Sequence, residues 1–252
     1  MTDGFTKHGI GHLSPSSLNL WINCPGLWVA EKIFGHRGAA SPAMFRGIAV
    51  EDAVVGVLSK GMSVDDSVAT ALKKFDARFF IGSEKTTAER DMVAPMVGQA
   101  LKVLEPLGEP DFAEGAQHKV ELVCNCGDFK IPVIGYLDLL YPQHGRVIDI
   151  KSTSRIPSRM SAEHILQRGI YQRAKQNHMV EFLYVSASKA SLLSDGEVAD
   201  VLRRVKYHIA RLEAFLRLLD KEQMRAIVPL ADSSFYFQGG DVLSKVYGMP
   251  VS

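Results

Sequence analysis

The stretch from Phe129 to Lys151 constrains the fold of this 252-residue chain more than any other. Two runs rich in Val, Ile, Leu and aromatic residues, Phe129 to Tyr141 and Arg146 to Lys151, are separated by the turn formers Pro142-Gln143-His144-Gly145. The pattern predicts an antiparallel pair. If those four residues are the loop, Tyr141 opposes Arg146, and counting outward sets Asp138 opposite Asp149. Opposed residues share a face, with β-carbons about 4.5 to 5.5 Å apart. Lys151, two residues beyond Asp149, points to that face as well. Two carboxylates held so close repel unless a cation lies between them. A hard divalent ion such as Mg²⁺ or Mn²⁺ accepts oxygen ligands, and Lys151 beside it could hold or help deprotonate an attacking water. The same spacing also suits solvated acids on an exposed sheet face with Lys151 as a surface partner. Leu137, Leu139, Ile148 and Ile150 load the opposite face with apolar bulk, so a site requires helices that cover or flank the acidic face.

Upstream, the chain reads as mainly helical. Leu13-Ser14-Pro15-Ser16-Ser17-Leu18 places capping hydroxyls and a proline before an apolar-periodic run through Trp21, Cys24, Trp28 and Ile33, a helix or helical pair. Further helices are expected over Met44 to Leu58, Val64 to Phe80 capped by Ser63, and Ser83 to Leu104. Gln117 to Val123 alternates as a strand, followed by a turn at Asn125 to Asp128 and the hairpin. After a polar loop, Ser152 to Arg159, come a helix over Ser161 to Asn177, a strand over Val180 to Ala187 and a long helix over Gly196 to Arg225. The order, helices followed by β-β-β-α-β-α, is that of an α/β protein. One domain is expected: a helical portion over residues 1–107, a core over 108–227 and a tail over 228–252. Gly108 to Ala116 and the segment after Val228 are candidate linkers.

Composition, 46 % hydrophobic and 23 % charged, is that of a globular protein with one substantial core. No run of 18 uncharged apolar residues and no apolar leader are present, so a cytoplasmic protein without a membrane partner is expected. Three cysteines, two of them in Cys124-Asn125-Cys126, fit free thiols in a reducing compartment and fall short of a zinc or iron-sulfur site. The net charge of +1 does not by itself suggest a nucleic-acid partner. From Ile150 to Arg225, however, 14 Lys and Arg face 8 Asp and Glu, which permits a basic surface or a solvated helix face. Arg155 and Arg159 lie on the loop beside the acids and are the first choice for guiding a nucleic-acid strand. Arg168 and Arg173 on the next helix, and Arg203, Arg204 and Lys206 on the last, are further candidates. Trp21 and Trp28 fit core packing better than base stacking.

Four elements, in order, resemble the PD-(D/E)XK nuclease superfamily and particularly its RecB-like exonuclease branch. They are Leu13-Ser14-Pro15-Ser16-Ser17-Leu18 running to Cys24-Pro25; Arg46-Gly47 followed by Glu51; Gly135-Tyr136-Leu137-Asp138 with Asp149-Ile150-Lys151; and Gln167 with Tyr171. The resemblance spans residues 13 to 171. It implies a restriction-endonuclease-like core, a central mixed sheet flanked by helices with a helical N-terminal portion. It also implies metal ligands at Asp138, Asp149 and the Ile150 carbonyl, and a catalytic lysine at Lys151. Many relatives carry His where this chain has Glu51, while others use a helical Glu as an extra ligand, so Glu51 joins the expected metal set. Its neighbour Asp52 points about 100° away on a helix. Gln167 and Tyr171, at i and i+4 on one helix, are expected to face the substrate phosphate, and Arg46 is counted with them. No cysteine follows Cys126, so no iron-sulfur cluster is expected and Cys24 reads as a packing residue. The activity implied is Mg²⁺-dependent DNA hydrolysis, chiefly by an exonuclease of the phage recombination type. Its partners would be a single-strand annealing protein and further copies of the chain. A structure-specific endonuclease and a catalytically silent DNA-binding module of the same fold are the alternatives.

Overall fold

The computed structural model describes residues 2–38, 40–79, 83–112, 117–126, 129–230 and 241–249. Seven helices come first: α1 (Gly4–Lys7), α2 (Pro15–Asn23), α3 (Pro25–Lys32), α4 (Pro42–Lys60), α5 (Val64–Asp76), α6 (Glu84–Asp91) and α7 (Val93–Leu104). Their starts are written locally. Ser14, Ser41, Ser63 and Ser83 each accept a backbone amide three residues on, and prolines open α2, α3 and α4 where no N–H is needed. The expected helical pair is α2 and α3. The single helix expected from Ser83 to Leu104 is instead α6 and α7, with Met92 between them. Phe80, the expected end of the third helix, lies outside the described residues, and α5 ends at Asp76.

Then follow β1 (His118–Cys126), β2 (Phe129–Leu137), β3 (Leu139–Tyr141), β4 (Arg146–Ser152), α8 (Ala162–Ala174), β5 (Met179–Val185), β6 (Ala190–Leu193), α9 (Val201–Leu218), α10 (Lys221–Ile227) and α11 (Asp241–Tyr247). β1 and β2 form a two-stranded hairpin. A mixed sheet runs β3-β4-β5-β6, with β4 and β5 parallel across α8 and the other neighbours antiparallel. The turn after Tyr141 sets the register derived from the sequence: Tyr141 pairs with Arg146, Leu140 with Val147 and Leu139 with Ile148. The run from Phe129 to Tyr141 is not one strand, however. It breaks at Asp138, so β2 serves the hairpin and β3 the mixed sheet.

Alternation along the mixed sheet divides the core. Leu140, Val147, Val180, Phe182 and Tyr184 join Leu18, Trp28, Leu166, Ile170 and Val205 on one face. Leu139, Tyr141, Ile148, Ile150, Leu183 and Val185 join Val50, Val54, Met96 and Val97 on the other. Leu137, expected with the second group, lies in the first, because the break at Asp138 interrupts the alternation. Helices therefore cover both faces, including the one that carries the acids. Trp28 is fully buried in the core with its indole N–H on Ser17 Oγ, and the half-buried Trp21 packs edge-on against it. Cys24 is buried between α3 and α11 residues. Residues 113–116 and 231–240, and with them the aromatic tail residues Phe235 to Phe237, lie outside the described residues.

Candidate active site

The break at Asp138 positions the first acid. With β2 ended and β3 not begun, the Asp138 side chain turns in, and its Oδ2 accepts the Ile150 N–H at 2.8 Å while Oδ1 accepts Gln117 Nε2 at 3.1 Å. It lies one residue beyond the Leu139–Ile148 pair that ends the β3–β4 ladder, outside the pairing that counting from the turn extends to it, and its charge interacts with that of Asp149. Asp149 comes from β4, is 2 % exposed, and accepts Gln167 Nε2 at 3.1 Å through Oδ1. Its Oδ2 forms a close ion pair with Lys151 Nζ without a hydrogen bond of normal geometry. Lys151 also lies over the Phe182 ring, 5.1 Å from the centroid. Glu51, from the middle of α4, shares the Gln117 amide with Asp138. The structure thus brings Glu51, Asp138, Asp149 and Lys151 into one centre, with Gln117 and Gln167 bonded to its carboxylates.

Two glycines permit these approaches. A β-carbon on Gly135 would lie 2.4 Å from Tyr171 Cε1, and one on Gly47 would lie 3.2 Å from Ser152 Oγ. The first lets Tyr171 lie against β2 and donate its hydroxyl to the Tyr136 carbonyl at 3.0 Å. The second lets α4, and with it Glu51, close on the end of β4. Asp52 points away and pairs with Lys74.

Electrostatics mark the centre as strained by its own charge. Burial pushes the Asp138 carboxyl well above its ordinary range, and Asp149 and Glu51 push it further. Burial also raises Asp149, against the pull of Lys151. Glu51 is raised to about 7 by burial and by the Asp149 charge, with Lys151 opposing. Burial alone would lower Lys151; Asp149 and Asp138 overcome it, so the amine is held charged. Beside them His164 is lowered to about 4 by burial and by Lys151, and it shares a hydrogen bond with the Tyr184 hydroxyl.

A family model described as the PD-(D/E)XK nuclease superfamily matches residues 12–235. The chain belongs to that superfamily. Membership implies a nuclease acting on DNA, and the mixed sheet flanked by helices is the restriction-endonuclease-like core expected of it. No curated protein gives a significant match. Among solved structures, one described as the crystal structure of SSO0001 superposes with a TM-score of 0.35 at 13 % identity, over 73 % of this chain and 82 % of that one. No described helix is long and apolar enough to cross a membrane.

PD-(D/E)XK nucleases typically use divalent metals such as Mg²⁺. Among the described residues no three His, Cys, Asp or Glu side chains already stand at metal-binding spacing; the Gln117 amide and the Lys151 ammonium take up their oxygens instead. The donor set nevertheless fits a hard dication. All the acids are oxygen donors, and three carboxylates face one ammonium, which meets only Asp149 Oδ2 in an ion pair within 4.0 Å among the described residues. The remaining expected residues divide. Gln167 reaches the centre, but Tyr171 is buried and serves to hold Gln167, accepting its Nε2 at 3.1 Å. Arg46 is buried behind the centre, paired with Glu89 and bonded to Ser152, so the structure turns it away from solvent. Arg168 is a correction: it is buried and donates to the carbonyls of Val180, at 2.9 Å, and Gly196, at 3.0 Å, which removes it from any strand-guiding role. Arg155 and Arg159 are exposed on the loop after β4. Sequence reasoning missed Gln117, which lies just before β1 and meets its partners only through the tertiary fold.

Proposed function

We propose that the chain is a Mg²⁺- or Mn²⁺-dependent deoxyribonuclease, and that it works from strand ends in DNA recombination or repair, as the RecB-like resemblance of its motifs suggests. The observation that carries the metal-dependent reading is the excess of buried carboxylate: Glu51, Asp138 and Asp149 share one ammonium, and each is pushed toward protonation by burial and, for Glu51 and Asp138, by another acid. A fold keeps such a cluster where a dication restores the charge balance. Asp138, Asp149 and the Ile150 carbonyl, with Glu51 from α4, would hold that ion. When bound it would supply Lewis acidity to the phosphate and lower the pKa of a water.

The chain's own residues do the rest. Lys151 stays charged beside Asp149 and can orient the attacking water or meet the negative charge that develops on the phosphate. Gln167, held by Tyr171, fixes the Asp149 carboxylate through Oδ1 and leaves Oδ2 for other partners. Arg155 and Arg159 would hold the flanking strand as phosphate contacts. Incubation of end-labelled linear duplex and of closed circular DNA with Mg²⁺ tests the reading. Loss of mononucleotides or short products from ends alone is expected. Equal cutting of the circle makes the protein an endonuclease, and no cutting of any DNA with either ion returns it to a silent binding module.

A further inference from the structure

Lys151 has a second neighbour besides its acid. The parallel register pairs Asp149 with Phe182 and Lys151 with Tyr184, so alternation along β5 directs both rings to the sheet face that carries Asp149 and Lys151. The Lys151 ammonium lies over the Phe182 ring, 5.1 Å from its centroid. Among the described residues, Asp149 is its one ion-pair partner within 4.0 Å, and the lysine side chain is only 25 % exposed. The ring is therefore the other stabilising surface that this buried cation meets.

Two further rings fix this one. Phe182 is fully buried, with the His164 ring from α8 at 5.3 Å and the Tyr184 ring at 6.4 Å, while His164 and Tyr184 stand 5.5 Å apart. These centroid separations are those of favourable tilted contacts, about 4.5 to 7 Å. His164 Nδ1 and the Tyr184 hydroxyl share a hydrogen bond at 2.5 Å, which ties α8 to β5 and closes the triangle. Burial and the Lys151 charge keep the imidazole neutral, so no second cation competes for the ring. A leucine would fill the same space. Only an aromatic face, however, carries the negative quadrupole that attracts an ammonium, and the attraction is strongest where water is excluded.

We propose that Phe182 is a positioning residue for Lys151: its ring face keeps the ammonium at the centre when a dication engages Asp149 and the ion pair is lost. Asp149 Oδ1 is held by Gln167, so Oδ2 is the oxygen over which ion and amine compete. The ring offers no oxygen to a hard dication and so serves the amine alone. The proposal rests on the nuclease reading of the centre and adds how its lysine stays in place through ion binding.

Fluorine separates attraction from packing, because it weakens the ring's quadrupole stepwise with little change of shape. In the full chain, Phe182 is replaced by mono-, di- and trifluorinated phenylalanine, in wild type and in a Lys151→Met background that keeps side-chain length without the charge. Urea unfolding in EDTA reads the contact without metal or cutting. In the wild-type background the unfolding constant should rise with each fluorine, by about 5- to 30-fold for the trifluorinated ring. In the Lys151→Met background it should not respond to fluorine. Single-turnover cutting of linear duplex at saturating Mg²⁺ should slow in the same order and by a similar factor, with divalent uptake by calorimetry unchanged. The proposal is overturned by an equal response to fluorine in the two backgrounds or, where wild type cuts, by rates that ignore fluorine. Cutting by wild type with no graded response in either assay removes the role of the ring alone. A graded unfolding response confined to the wild-type background, with no DNA cut under either Mg²⁺ or Mn²⁺, keeps the ring as the seat of the ammonium and removes the nuclease reading alone.

Discussion

Glu51 is where a single side chain most directly exposes the strain of the centre. Its carboxyl sits at about 7 in the folded protein against an ordinary 4.5. The folded state thus binds more protons than the unfolded state between those values, and metal-free stability falls as pH rises from about 4.5 through 7. The loss is on the order of 3 kcal/mol if the group acts alone. Glu51→Gln keeps an acceptor for the Gln117 amide and removes the charge, so urea unfolding in EDTA should show the variant flatter across that window and more stable than wild type at pH 8. An unchanged pH slope would remove Glu51 from the charge-strained set. Lys151 predicts the opposite division. Lys151→Ala should lower single-turnover cleavage by about 10² to 10⁴ while divalent uptake by calorimetry persists, because the lysine is not an oxygen donor. Cleavage at wild-type rates would end its catalytic role.

Among elements, the β2–β3 break and the helix α8 define the site together, and Gly135 is their contact. Gly135→Ala forces a methyl to within 2.4 Å of Tyr171 Cε1, a buried ring with no room to retreat, and should destabilise the protein by about 1 to 3 kcal/mol. Tyr171→Leu in the same chain removes the clash, so a double-mutant cycle by urea unfolding should show strong favourable coupling; additive effects would mean the two elements meet elsewhere. The sequence made much of this arrangement readable. Turn chemistry at Pro142 to Gly145 alone set the strand register, and serine caps marked the starts of α2 and α5, whereas α4, expected from Met44, opens two residues earlier at Pro42 under the Ser41 cap. What escaped was the consequence of contacts distant in sequence. The apolar run from Phe129 to Tyr141 carries no breaker at Asp138; the interruption arises because that carboxylate is drawn to the Ile150 amide and to Gln117. The helix expected from Gly196 to Arg225 divides at Leu219 and Asp220, where Asp220 forms a capping box with Gln223 that local reading did not weigh. β6, four half-buried residues from Ala190 to Leu193, is too short for alternation to announce it. Arginines illustrate the same limit, since Arg46 and Arg168 look like surface cations in sequence and are buried by partners more than 10 residues away.

At the scale of the whole molecule the centre is a junction. Glu51 belongs to the helical portion and to the core on one face of the sheet, Asp138 to the link between the two sheets, and Asp149 to the middle of β4. An ion held by all three acids would therefore tie parts of the chain that are 87 and 11 residues apart in sequence, counting from Glu51 to Asp138 and on to Asp149. Because it binds only the folded arrangement, its effect on stability follows mass action, about 2.7 kcal/mol at a hundredfold excess over the dissociation constant. We expect Mg²⁺ or Mn²⁺ to raise the unfolding midpoint of the entire protein as one transition, and to slow amide exchange in α4 as well as in β4. Glu51→Gln should weaken both effects, and Asp138→Asn should abolish them. Protection confined to β4 and the residues around Asp138, with α4 exchanging as it does in EDTA, would show that Glu51 takes no part in holding the ion and that the helical portion only shields the site.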